Sequence, residues 1–204
     1  MLMLKGKTVR RALHQVTSDY VAVPLQILST NQHIVILGDI FFINSVPFLT
    51  TISHNIQLTT TYYLIDQKPS TIMKGLKKVS AIYSNRGFIL KHALMDGQFE
   101  PLCEDLMSLG IDLNVMAANK HVPLIEQQIR AIKERIHATR HLLPFKMIPL
   151  LMLIKMVYTC VKWINAFPPK GGVSRMMSPR TIMTGTQLDY KTDCHLTFHI
   201  SLND

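Results

Sequence analysis

Apolar residues run almost without a break from Ile34 to Ile43, the pattern of a strand buried on both faces, and Asp39 interrupts that run. Asn44-Ser45 makes a turn into a second strand, Val46 to Ser53. His54-Asn55 makes another into Gln57 to Ile65, whose Thr and Tyr content favours strand. The period then changes. Ile72, Leu76, Val79, Ile82 and Tyr83 trace one face of a helix capped at Ser70 or Thr71, with Lys74, Lys77 and Lys78 on the other face. Asn85-Arg86-Gly87 ends it, and Phe88 to Met95 reads as a fourth strand that delivers Asp96-Gly97 at its carboxyl end. A helix from about Phe99 to Leu109, closed by Gly110, leads to a short fifth strand, Ile111 to Val115.

A polar loop, Ala117 to Val122, precedes Pro123, which suits the first turn of a helix reaching about His141. Ile125, Ile129, Ile132 and Ile136 form its core stripe. Glu126, Arg130, Lys133 and His137 repeat that spacing one position on. Pro144 or Pro149 starts a long apolar helix within Met147 to Phe167, with Leu151, Ile154, Tyr158, Val161 and Ile164 or Asn165 as its stripe, ended by Pro168-Pro169. Its length suits a bilayer, but Pro149, Lys155, Lys162 and Asn165 argue for a buried core helix instead. A Gly-rich connection, a short helix around Ser178 to Met183 and an extended tail complete the chain.

The order is three strands, helix, strand, helix, strand and two longer helices. It predicts an α/β fold of the ribonuclease H-like kind, a mixed five-stranded sheet flanked by helices. The expected division is a basic arm and linker over 1–33, a core over 34–167 and an extension over 168–204.

Composition narrows the partners. Lys and Arg number 22 against 13 Asp and Glu, a formal charge of +9, which favours polyanions and places nucleic acid ahead of an anionic membrane. Cys103, Cys160 and Cys194 are dispersed and lack C-x-x-C spacing, so neither a disulfide framework nor a zinc ribbon is expected. His195 and His199 beside Cys194 read as surface residues of the tail. The first residues do not form a secretory signal, so an intracellular home, nucleus or cytoplasm, is expected.

Three acids carry the candidate chemistry. Each has an ordinary explanation: an edge-strand Asp39, a turn-forming Asp96, and a Glu126 favoured by the helix dipole. Their joint placement points further. Asp39 sits in the most buried strand, where a carboxylate needs a compensating cation or donor, and a parallel fourth strand would set Asp96 beside it. Hard divalent cations take oxygen ligands, so carboxylates converging from separate elements suit phosphodiester chemistry.

GDIFFINSVPFLTTIS around Asp39, HALMDGQFEPL around Asp96, HVPLIEQQIRAIKER around Glu126 and the later FPPKGGVSRMMSPRTIMTG together resemble the integrase catalytic core of copia-type long-terminal-repeat retrotransposons, over most of residues 34 to 186. LKGKTVRR also looks like the tail of the zinc-binding segment that normally precedes this core. The resemblance implies that Asp39, Asp96 and Glu126 are the catalytic metal ligands for Mg²⁺ or Mn²⁺. It further implies that Lys120, His121, Arg130 and Lys133 approach DNA ends, and that the activity is DNA 3′-end processing and strand transfer, with a homodimer expected by analogy. The chain departs from the family pattern in its direct Asp96-Gly97 step and in intervals of 57 (96 minus 39) and 30 (126 minus 96) between the acids. The His-His-Cys-Cys module is not in this sequence. The alternative expectation is therefore a catalytically inactive transposable-element remnant that only binds nucleic acid.

Overall fold

The computed structural model describes residues 20–116, 123–144 and 147–189. Lys120 and His121, the first 19 residues and the tail carrying Cys194, His195 and His199 lie outside them. Five strands, β1 (His33–Ile43), β2 (Val46–Ser53), β3 (Thr59–Tyr63), β4 (Ile89–Met95) and β5 (Asp112–Val115), form one sheet in the order β3-β2-β1-β4-β5. The first three pair antiparallel, and β4 and β5 join parallel to β1 and β4. The mixed five-stranded architecture expected from the element order is the one observed.

Hairpin chemistry sets the antiparallel part. Asn44 and Ser45 both have positive φ, 49° and 64°, as a two-residue turn matched to strand twist demands. Gln57 is also left-handed, at 58°, so the third strand starts at Thr59 rather than at Gln57. Threonines then knit β2 to β3: the hydroxyls of Thr50 and Thr61 bond on one face, and those of Thr51 and Thr60 on the other at 2.7 Å.

Both faces of β1 are covered, which is why its sequence is apolar apart from His33 and Asp39. Ile34, Ile36 and Ile40 face a core shared with α2 (Pro69–Ser84), while Leu37 and Phe41 face a second core built with α4 (Pro123–His141) and α5 (Leu150–Ile164). The isoleucine stripe of α4 is buried as its spacing requires. Helix α5 turns differently from the expected stripe. Leu153, Met156, Val157 and Val161 are buried, whereas Leu151 and Tyr158 are exposed. Tyr158 has another task, because its hydroxyl accepts from the Tyr63 N–H at 3.1 Å. Two turns on, the Asn165 side chain accepts from Thr59 N at 2.8 Å and donates to Thr59 O at 2.6 Å. An amide side chain thus stands in for the missing neighbour strand, and the edge of β3 is covered.

Within the stretch expected as a basic arm and linker, residues 20–33 carry one regular element ahead of β1. Residues Leu25–Thr30 form a short helix, α1, whose Ile27 and Leu28 pack on the α2 side of the sheet. Arg86 ties this segment to α6 (Pro179–Thr184). Its Nη2 donates to Val21 O at 2.9 Å, its Nε donates to Ile182 O at 2.8 Å, and its guanidinium lies over the Tyr20 ring. Ile182 and Met183 are buried in the same core. The segment after Asp96 is a 3-10 turn, Gly97–Leu102, before α3 (Cys103–Ser108), since Pro101 has no N–H for a continuous α-helix. Among the described residues, no helix is long and apolar enough to cross a membrane.

Asn165→Ala leaves both Thr59 backbone groups in a buried environment without their partner. A loss of about 2–4 kcal/mol in unfolding free energy is expected, measured by urea denaturation.

Candidate active site

One irregularity in β4 decides where its acid points. The parallel register runs Ile34 to Leu90 and then Val35 to His92, so Lys91 is an extra residue in β4. Before this bulge Leu90 faces the α2 core; after it Ala93 and Met95 do. Strict alternation from Leu90 would have sent residue 96 toward α2 as well. The bulge reverses the phase, so Leu94 packs toward the α4 core and Asp96 comes next on that face.

Asp39 belongs to the same face, between Leu37 and Phe41. Gly38 pairs with Met95, so Asp39 and Asp96 occupy the next positions of adjacent parallel strands, about 4.8 Å apart across the ladder. Gly38 leaves room for the Met95 side chain: a Cβ there would sit 2.7 Å from Met95 Cε and make that flexible side chain shift.

Glu126 enters from the first turn of α4, one position round from the buried Ile125. Asp39 senses the other two acids. Burial raises the Asp39 carboxyl above its ordinary value; the Ile40 N–H, donating to its Oδ1 at 2.7 Å, opposes this, the negative charges of Asp96 and Glu126 raise it further, and Lys133 offsets part of that. Lys133 also lies 5.9 Å from the centre of the Phe41 ring, which places its ammonium on the same face. Arg130 is exposed on α4, one turn from Glu126. Beside Asp39 across the β1–β2 ladder is Thr50, bonded in turn to Thr61, so a polar lane crosses three strands within an otherwise apolar face.

Asp96 is held by a residue absent from the sequence-based expectations. Gln98 donates its backbone N–H to Oδ1 at 3.2 Å and its side-chain amide to Oδ2 at 3.0 Å. The chain does carry a signal for it, because Asp96-Gly97-Gln98 is an N-cap arrangement for the turn beginning there. Among the described residues, no group of three or more His, Cys, Asp and Glu side chains is gathered closely enough to hold a metal ion as it stands. The donor set nonetheless suits a hard divalent cation: three carboxylates share one face, and their repulsion at the half-buried Asp39 is what a cation relieves.

Comparison with solved structures finds the catalytic core domain of BIV integrase, with a TM-score of 0.50 and 15% sequence identity, covering 74% of this chain and 93% of that one. No protein-family model matches the chain, and no curated protein matches it. The fold is accordingly that of a retroviral-type integrase catalytic core, a ribonuclease H-like sheet flanked by helices.

A raised folded-state value at Asp39 means that the native state holds its proton more tightly than the unfolded chain, so ionisation there costs stability as pH rises above the ordinary value of 3.8. Asp39→Asn is expected to raise the melting temperature at pH 7, and the gain should vanish at pH below 3.8, where both forms are neutral. Thermal unfolding across pH checks the sign.

Proposed function

We propose that this chain is the catalytic core of an integrase-type polynucleotidyl transferase of the copia retrotransposon kind, acting on DNA. The observation that carries the reading is the half-buried Asp39 under the joint field of Asp96 and Glu126 on an integrase-core sheet. Asp39, Asp96 and Glu126 are the residues that would hold Mg²⁺ or Mn²⁺. Such ions, when bound, supply an activated attacking oxygen and a stabilised leaving oxygen for in-line displacement at phosphorus.

The protein's own contribution is positioning. Asp39 is fixed by its strand and by the Ile40 N–H, so its free oxygen has a defined direction. Asp96 keeps lone pairs beyond those used by Gln98, and exchanging the Gln98 amide contact frees its Oδ2 further. Glu126 approaches from a helix that is itself anchored through four isoleucines. Lys133 and Arg130 neutralise backbone phosphates beside these acids and hold the strand without reading its sequence. Lys120 and His121 belong to the same proposal. End processing and strand transfer are both in-line attacks on a phosphodiester, so one acidic site serves for each, with water or a 3′ hydroxyl as the attacking group.

A second reading is a protein that binds DNA through this basic face without cutting it. The closure of Gln98 on Asp96 and the absence of a gathered ligand set among the described residues favour it. Activity separates the two. Divalent-cation-dependent nicking or strand transfer that falls to background in Asp96→Asn is the expected result, while equal product from that variant defeats the catalytic reading. Lys133→Ala should retain turnover on saturating DNA but weaken binding, and reduce the slope of log affinity against log salt by about 0.9, measured by fluorescence anisotropy.

A further inference from the structure

Two histidines on the outward face of α4 have no part in the acid site. His137 and His141 stand four positions apart, so one helical turn sets them one above the other on the same side. Both are exposed, and their ring centres lie 5.2 Å apart with the planes tilted by 54°. We propose that this pair chelates one transition-metal ion of the zinc class, at a site separate from the three carboxylates and independent of the integrase-type reading.

The separation of the rings fits one shared metal. An ion about 2.0–2.1 Å from one nitrogen of each ring sits about 3.2 Å from each ring centre, and a tetrahedral angle at the ion then sets the centres roughly 5 Å apart. The rings already stand at that distance, so rotation about their side-chain bonds is enough to aim a nitrogen of each at a common point. Among the described residues, no hydrogen bond engages a nitrogen of either ring, which leaves a lone pair on each for a metal.

Ligand chemistry selects the ion. Imidazole suits Zn²⁺, Cu²⁺ and Ni²⁺, whereas Mg²⁺ keeps oxygen ligands and belongs with the carboxylates. Among the described residues no third His, Cys, Asp or Glu is gathered with the pair, so water completes the shell and binding is weaker than at a closed four-ligand site. The surrounding charges oppose one another. The last turns of α4 present the carbonyl end of the helix, with a partial charge of about −0.5, and Glu134 adds a carboxylate one turn before His137. Lys133 and Arg140 lie on neighbouring positions and work against a dication. A metal held by two successive turns braces the end of α4, the helix that carries Glu126 three turns earlier, and its binding free energy adds to the stability of the folded chain.

The test uses the full chain without an affinity tag, with isothermal titration of ZnCl₂ and NiCl₂ and thermal unfolding in each salt. The wild type is expected to take up one equivalent at this site that excess MgCl₂ does not displace, and to melt higher with it than in EDTA. His137→Ala and His141→Ala should melt with the wild type in EDTA but bind at least about 10–100-fold more weakly, since loss of an outer-shell partner alone costs that much. Ala138→His combined with His141→Ala keeps the number of histidines but sets them side by side instead of a turn apart, and should bind as weakly as His141→Ala alone. Unchanged affinity in both single variants overturns the site, as does wild-type affinity in the respaced double variant. Displacement of the ion by MgCl₂ overturns it too, because that ion would be held by oxygen.

Discussion

The arrangement of the site depends on one extra residue in β4. In a parallel pair, partners across the ladder point to the same face, so the Gly38–Met95 pairing makes Asp39 and Asp96 neighbours. That pairing exists only because Lys91 is bulged out between Leu90 and His92. Shift the phase back and Asp96 turns toward α2, on the side opposite Asp39. A single-residue insertion into a ladder therefore decides whether two carboxylates repel one another across one face or are separated by the sheet.

The bulge thereby creates an electrostatic conflict. An otherwise hydrophobic face carries Asp39, and burial together with Asp96 and Glu126 makes its ionised form costly. Thr50 and Thr61 extend a polar lane beside it, Lys133 relieves part of the charge, and Gln98 occupies Asp96. Stability alone would place an apolar residue at position 39. Keeping the acid there is consistent with the cation site proposed above, on a sheet whose fold is that of an integrase core.

Much of the architecture was legible in the residues. The double-sided burial of β1, the isoleucine stripe of α4 and the lysine-bearing face of α2 all derive from period and propensity, because local spacing alone determines which positions can share a face. The three acids stood out for the same reason, each at the end or in the middle of a well-defined element. Other features were not legible. The rotation of α5 is one, because its segment is apolar nearly all round and the period does not choose between Leu151 and Leu153; packing into the core shared with β1, β2 and α4 chose Leu153. The helix over Leu25–Thr30 has no capping side chain to announce it, and it stands on contacts with the core.

By itself, then, the sequence determined the five strands, the helices α2, α4 and α5, their order and the double-sided burial of β1, since these rest on the spacing of residues a few positions apart. Tertiary structure decided the bulge at Lys91, the Gln98 hold on Asp96 and the Asn165 cap on the β3 edge. Each of these joins groups whose pairing depends on ladder register, on backbone path or on elements distant in the chain. No periodicity encodes such pairings, because their free energy appears only once the strands and helices have packed.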